Sequence, residues 1–445
     1  MNNKKVVVRF PPSPTGLFHI GNARTFLFNY LFAKQNNGQI VFRLEDTDKE
    51  RSKEEYAEDI IENLKWLGIE PDFRTTIKQS ERTQIYKKYI EKLLAEDKAY
   101  LSKEETVKGG QRTEVIRFRN PNKKIVFNDL IRGDIEFDTT ELKDFVIAKS
   151  LEEPIYHLAV VIDDFEMKIT HILRGDDGIS NTPRQILIQE AIGAPRPIYA
   201  HLPMMLAPDK TKLSKRKHGE QVSVSYYKEK GYLPEAVINF LAMVGWNPGT
   251  DQEIWSMDEL IKVFDIAKVQ KKGAIFNIEK LNWLNREYLL KIPFEEQFSI
   301  FNFQFSKTKW GRSEKAKDKI FIEKLLKIIL ERIHRWAEVR EILEKGEFDY
   351  LFEKSKLDKE KICWKKQNPK DAKENLEKIL EILDNSQISD IWKLSEKEGK
   401  GEVLWPLRYT LSGREKSPDP MTLIDILGIP ESKERIKKAI EKLKN

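Results

Sequence analysis

Cysteine is nearly absent: Cys363 is the only one in 445 residues. A single thiol excludes an intramolecular disulfide and any zinc site built on cysteines. Long apolar runs are missing too. No stretch approaches the ~20 apolar residues of a membrane span. The opening MNNKKVVVRF has too short an apolar run for a secretory signal. A strong charge of one sign is also lacking: charged residues make up 34% of the chain, yet the signs nearly cancel to a net +6. The small basic excess lies mostly beyond residue 290, which permits local RNA-binding patches without demanding them. No internal repeat or long low-complexity linker stands out. The expectation is a soluble, cytoplasmic chain whose 40% hydrophobic content can build two or more domains.

Residues 6–10 read as a buried strand, and 22–37 as a helix. In that helix Ala23, Phe26, Leu27, Tyr30 and Leu31 recur at helical spacing, with Gly38 as the expected C-cap. Gln39–Leu44 is the next strand. Ser52 and Glu55 then have the spacing of a capping box for a helix ending near Leu67-Gly68. This β-turn-α-β-α order predicts a parallel sheet with right-handed crossovers. A nucleotide site outside the carboxyl ends of its strands follows from that architecture.

Residues 80–97 look helical and 114–149 look like short strands with polar turns, so roughly 70–150 reads as an insertion. The α/β pattern resumes at Ile155–Ile162 and Ile169–Leu173, followed by a helix from about Thr182 to Ala191. The segment 220–290 is mainly helical, and from about 313 the chain is almost wholly so. The expected fold is α/β: a Rossmann-like, doubly wound parallel sheet with an inserted α+β domain over 1–300, its part from about 200 to 300 helical. An all-α domain over 301–445 follows.

Two short islands carry the chemistry. In PPSPTGLFHIGN, residues 11–22, Gly16 and Gly21 allow a tight turn and His19 sits where a helix begins. A helix N-terminus with bare N–H groups and a nearby His is a ready site for phosphate oxygens. In DKTKLSKRKHG, residues 209–219, Lys210, Lys212, Lys215, Arg216 and Lys217 surround Ser214. Lysines on a loop suit an anion that gains charge during reaction and then leaves. Taken singly, a lone His is more often a cap and a lysine cluster more often a solvated surface. Together they describe a site that handles ATP.

The joint pattern resembles the HIGH and KMSKS signatures of class I aminoacyl-tRNA synthetases. HIGH reads His19-Ile20-Gly21-Asn22 here, and KMSKS reads Lys212-Leu213-Ser214-Lys215-Arg216. RFPPSPTGLFHIG with KLSKR is similar to the glutamyl branch in particular. The likeness continues through FRLEDTD at 42–48, IYHLAVVIDD at 155–164, ILRGDDGISNTPRQ at 172–185 and VLWPLRYTLSGREKSPDP at 403–420.

That resemblance implies activation of L-glutamate by ATP to an adenylate, with Mg²⁺ accompanying ATP. Transfer to the terminal adenosine of tRNA(Glu) follows, initially at the 2′-hydroxyl, and activation is expected to need bound tRNA. It implies that His19, Gly21, Lys212, Ser214 and Lys215 bind ATP, with His19, Gly21, Lys212 and Lys215 catalytic. Arg9, Ser13, Glu45, Tyr156 and Arg174 are implied to form the amino-acid pocket. Glu45 would take the ammonium group, and an arginine would select the side-chain carboxylate over an amide. The bland alternative pairs Arg9 and Arg174 with nearby acids such as Asp46 or Asp177. Four residues after Tyr156, where some relatives have a polar pocket residue, stands Val160.

The inserted segment is implied to hold the acceptor end of the tRNA, 200–300 to contact its stem, and 301–445 to read the anticodon. Arg332, Arg335, Trp405, Arg408 and Arg414 are the candidate RNA contacts, beside Lys416 and a turn at Gly413. Only 14 residues separate Tyr100 from Val115, a stretch longer in bacterial relatives, where it sometimes holds zinc-binding cysteines. No zinc, no membrane and a monomer are expected, and charging of tRNA(Gln) stays open. A glutamine–tRNA ligase would carry β-barrel anticodon domains, and the tRNA-modifying paralogue would lack a C-terminal domain. A small-molecule nucleotidyltransferase and an idle RNA-binding relative are the alternatives of other classes.

Overall fold

A computed structural model describes residues 5–105, 112–385 and 387–444. They form two compact units, Met1–Tyr288 and Leu289–Asn445, with the division falling earlier than residue 300.

The first unit opens with β1 (Val7–Phe10), α1 (Ile20–Gln35), β2 (Gln39–Leu44), α2 (Glu54–Trp66) and β3 (Ile77–Lys78). The three strands pair in parallel, Val8 opposite Ile40 and Arg43 opposite Ile77. Next come α3 (Thr83–Ala95), β4 (Ala99–Glu105), β5 (Arg112–Phe118), β6 (Lys124–Asp129), β7 (Gly133–Asp138), β8 (Phe145–Ser150) and β9 (Glu153–Pro154). They are followed by α4 (Tyr156–Glu166), β10 (His171–Gly175), α5 (Thr182–Ile192) and β11 (Ile198–Leu202). β10 and β11 are parallel, with Arg174 opposite His201. The two parallel groups meet where Thr170 N–H donates to Val7 O at 2.9 Å and Val7 N–H donates to Thr170 Oγ1 at 2.8 Å. The order β3-β2-β1-β10-β11 therefore turns back on itself between β1 and β10. In a doubly wound sheet that switch point opens a crevice at the carboxyl ends of the strands.

α1 fits beneath this sheet because it is apolar on nearly every side; Ala23, Phe26, Leu27, Phe28 and Leu31 are all buried. Phe26 stacks on Phe10 of β1, ring centroids 4.4 Å apart. The helix starts at Ile20, earlier than expected, because the His19 side chain is its N-cap. Its C-cap is Asn36, not Gly38. Gly38 is needed for close approach: a Cβ there would lie 2.7 Å from Val6 O. The Ser52–Glu55 capping box does not form. Lys53 is the N-cap of α2, without a side-chain bond, and Ser52 Oγ is buried with no partner among the described residues.

Ile155–Ile162 is not extended but enters α4. Its residues Leu158–Asp164 are all buried, and the short apolar stretch Leu158–Ile162 carries no periodicity to separate strand from helix. The segment read as an insertion is woven into the core. β3 already belongs to the parallel sheet, and the β6–β7 hairpin extends it beyond β11, with Asp129 bridging Tyr199. β4, β5, β8 and β9 make a separate antiparallel sheet. The unit continues through β12 (Met205–Leu206), α6 (Lys215–His218), α7 (Val224–Glu229), α8 (Pro234–Met243), α9 (Met257–Val263), β13 (Ala274–Ile275) and α10 (Ile278–Lys291).

Among its described residues the second unit is built of helices without strands. They are α11 (Phe294–Ser306), α12 (Lys319–Leu330), α13 (Ala337–Glu344), α14 (Lys359–Ile362), α15 (Pro369–Asp384), α16 (Asp390–Glu398), α17 (Lys400–Ser412), α18 (Pro420–Leu427) and α19 (Ile429–Lys444). No helix among the described residues is long and apolar enough to cross a membrane.

Candidate active site

The switch-point crevice is a cavity of about 590 Å³. Its wall contains Arg9, Ser13, Glu45, Tyr156 and Arg174 together with His19, Gly21 and Lys212. Residues spread over two hundred positions of sequence thus converge on one volume. Ser214 does not line it. Lys215 opens α6, and its side chain lies outside the described residues' atoms.

His19 Nδ1 accepts from Gly21 N–H at 2.9 Å. Burial and the Lys212 ammonium keep the imidazole below its usual pKa, against a hydrogen bond with the Leu213 backbone that raises it. The ring is therefore neutral at pH 7. With Nδ1 occupied as an acceptor, its proton belongs on Nε2. The cap and ligand readings of His19 are thus compatible: one nitrogen caps α1, and the other is a donor that faces the Leu213 backbone of the lysine loop. Lys212 follows a tight loop in which Lys210 takes a left-handed φ of 63° and Ala207 N–H donates to Thr211 O at 2.8 Å. Its ammonium lies 3.4 Å from Asp177 Oδ2 in a solvent-exposed pair, worth little in stability and easily exchanged for a phosphate.

At the other end, Arg9 is 2% exposed and its Nε lies 3.4 Å from Asp164 Oδ2. The expected alternative partner, Asp46, instead accepts from Ser80 N–H and Oγ–H. Behind Arg9, the fully buried Arg43 bonds Asp164 Oδ1 at 2.9 Å and Glu45 Oε1 at 3.0 Å, with Asp163 at 3.7 Å. Desolvation raises the Glu45 pKa, and Arg43 opposes that. Glu45 therefore has one oxygen tied to the network at the pocket wall.

Arg174 is different. It is 9% exposed, and among the described residues none of its hydrogen-bond acceptors is a carboxylate. Nε donates to His201 Nε2 at 3.1 Å, and Nη1 to Gln185 Oε1 at 2.8 Å. Nη2 donates to Gly178 O at 3.1 Å and Thr182 Oγ1 at 2.7 Å. Burial depresses its pKa, the largest cause. A buried guanidinium held by neutral acceptors, on the wall of a cavity, retains its attraction for an incoming carboxylate.

Comparison with known proteins gives the family. Residues 5–114 and 101–283 match the family described as tRNA synthetases class I (E and Q), catalytic domain. Residues 294–440 match an anticodon binding domain. Glutamate–tRNA ligase 2 of Caldicellulosiruptor saccharolyticus is 38% identical over 98% of this chain and 99% of its own length. The chain belongs to the glutamate–tRNA ligase family. Glutamate–tRNA ligase of Aquifex aeolicus is likewise 38% identical, over 99% of both chains. A crystal structure of a glutamate tRNA ligase from Elizabethkingia meningosepticum, in complex with its amino acid, superposes with a TM-score of 0.84. It is 34% identical and covers 99% of this chain and 100% of that one. The two parts of the catalytic match overlap in the short segment after Tyr100, whose residues 106–111 lie outside those described.

For a member of this family the sequence reading missed Arg24. It lies on α1 one turn after Gly21, is 2% exposed, and lines the same cavity. Nη2 donates to Pro203 O at 2.7 Å, while Nε has no partner among the described residues. Burial lowers its pKa to about 10, with Asp176 offsetting part of the loss. The signal was available: i and i+3 on a helix share a face. Val160, by contrast, is core and lies off the pocket wall.

In the anticodon-binding unit, Arg332 and Arg335 are not on a helix. They occupy the turn between α12 and α13, with Trp336 buried beneath. Arg335 pairs with Glu341 at 3.1 Å, and Arg332 faces the Phe348 ring at 5.1 Å. Trp405 and Arg408 lie on α17, the guanidinium 4.9 Å from the indole. Trp405 packs against Trp364 and donates to Lys361 O at 3.0 Å. Arg414 follows the left-handed cap Gly413 and donates to Gly346 O at 3.0 Å. No group of three or more metal-ligating side chains occurs among the described residues.

Proposed function

We propose that the crevice holds L-glutamate and ATP together and that the chain ligates glutamate to the 3′-terminal adenosine of tRNA(Glu). The carrying observation is the buried Arg174 guanidinium, provided only with neutral acceptors. It receives the side-chain carboxylate of glutamate. Glutamine would bring an N–H group against a donor or only a neutral carbonyl in place of the carboxylate, so the charge-assisted bond to the guanidinium is lost, a mismatch costing about 1–3 kcal/mol or more. Tyr156, Ser13 and Arg9 complete the amino-acid pocket, and the ammonium group lies against Glu45.

In activation, a glutamate α-carboxylate oxygen attacks the α-phosphorus of ATP. The bond from that phosphorus to the bridging oxygen breaks, and diphosphate leaves. The His19 Nε2–H and the positive end of the α1 dipole meet the phosphate oxygens. Lys212 exchanges Asp177 for the leaving phosphates, and Lys215 and Ser214 approach with the same loop. The rate comes from positioning and from cations aimed at the departing charge. ATP enters as its magnesium complex, the ion riding on the phosphates. In transfer, the terminal 2′-hydroxyl attacks the activated acyl carbon and AMP leaves.

The acceptor end is held by the segment 70–150, the stem by 200–300, and the anticodon by the region of Arg332, Arg335, Trp405, Arg408 and Arg414. The working species is a cytoplasmic monomer. tRNA(Gln) becomes a second substrate only where that helical unit accepts its anticodon. The test is Arg174→Gln, assayed for acylation of tRNA(Glu). The KM for glutamate should rise about tenfold or more, as a buried carboxylate loses its charged partner, while the KM for ATP stays within about twofold. Unchanged use of glutamate would place its carboxylate elsewhere.

A further inference from the structure

Behind Arg174 lies a second buried pair. His201, on β11, and Asp129, at the end of β6, both have fully buried side chains, with Nδ1 and Oδ2 2.6 Å apart. Asp129 Oδ1 accepts from Ile131 N–H at 3.0 Å and Arg132 N–H at 2.9 Å, and Oδ2 accepts from His201 N–H at 3.0 Å. The carboxylate is thus fixed on both oxygens. The hydrogen bonds from His201 and the Arg132 and Ile131 amides outweigh burial and hold its pKa below the usual carboxylate value. Burial, with Arg174 close by, lowers that of His201. The imidazole is neutral, and with Asp129 ionised its proton belongs on Nδ1.

That tautomer leaves Nε2 as an acceptor, 3.1 Å from Arg174 Nε. We infer that Asp129 and His201 are positioning residues for glutamate selection: the carboxylate sets the imidazole tautomer, and the imidazole aims the Arg174 guanidinium without neutralising it. The inference rests on Arg174 being the side-chain carboxylate receptor. A carboxylate bonded directly to Arg174 would orient it equally well but would compete with the substrate for its charge. An interposed neutral ring gives direction and leaves the charge available. The device also explains why β6 is woven into the parallel sheet: register at Tyr199 brings Asp129 beside His201.

The experiment compares three variants with Arg174→Gln in full-length protein, measuring KM for glutamate, ATP and tRNA(Glu) separately. His201→Leu removes the acceptor. It should raise the glutamate KM about tenfold and leave the other two within about twofold. His201→Gln can accept from Arg174 through its carbonyl and donate to Asp129 through its amide, so it should recover most of that loss. Asp129→Asn keeps an oxygen for the Ile131 and Arg132 amides but turns a donor toward His201. That favours the opposite tautomer, with an N–H facing the guanidinium, so its glutamate KM should match that of His201→Leu. If Arg174→Gln raises the glutamate KM and His201→Leu does not, the positioning inference is wrong. Equal loss in all three constants, without recovery in His201→Gln, would also overturn it by assigning the pair a purely structural role. If Arg174→Gln itself leaves the glutamate KM unchanged, it is the carboxylate-receptor reading that fails.

Discussion

Gly21 is the residue at which the cap of α1 and the proposed phosphate site meet most closely. An added Cβ would lie 3.0 Å from His19 Nδ1 and 3.4 Å from Cε1, inside the hydrogen bond that caps α1. Nothing in the local backbone demands glycine, since Gly21 has no left-handed φ, and alanine favours a helix interior by up to about 1 kcal/mol. Gly21→Ala should therefore keep or raise the Tm while adenylate formation, followed as tRNA-dependent diphosphate exchange, falls roughly tenfold as the ring is displaced. Loss of Tm alongside activity would mean that the glycine serves folding. At this scale most of the pocket could be read from the chain, because a turn, a His and two signature lysines are local features. His201 and Asp129 could not be read so easily. Their importance lies in burial and in partners up to 72 positions away, which no local pattern encodes.

Among the elements, the loop leading into α6 carries the strongest catalytic expectation. Lys212 is already on the pocket wall, its exposed ammonium beside Asp177. Lys215 is three residues further on. Lys215→Ala should cut kcat for acylation about 100-fold or more, the scale of losing one preorganised group that stabilises transition-state charge. The Kd for tRNA should change by no more than about twofold. Full activity in the variant would remove the loop from the chemistry. Element boundaries show where the sequence misleads. Ser52 and Glu55 have capping-box spacing, yet Lys53 is the cap and the Phe18 amide reaches Asp59 on α2 at 2.6 Å. Tertiary anchoring of the loop over α2 won over local capping chemistry. Ile155–Ile162 was ambiguous for a different reason: packing on both sides of α4 erases the polar stripe that marks a helix.

The whole chain reads as a parallel-sheet catalytic unit followed by helices. Periodicity carried that much, and the matches at 5–283 and 294–440 agree with it. What periodicity could not carry was the role of the middle segment. Its β6–β7 hairpin alternates like any antiparallel ribbon, Ile125, Phe127 and Asp129 buried and their neighbours exposed, so nothing local distinguishes a strand of an insertion from an added strand of the main sheet. For the whole molecule we propose that one pocket selects glutamate for ligation to tRNA. The most direct test is acylation of tRNA(Glu) and tRNA(Gln) transcripts with labelled glutamate or glutamine, in the presence of ATP and Mg²⁺. Glutamate should be esterified to tRNA(Glu), and glutamine should be esterified to neither RNA. Charging with glutamine, or binding of tRNA(Glu) without charging, would contradict it.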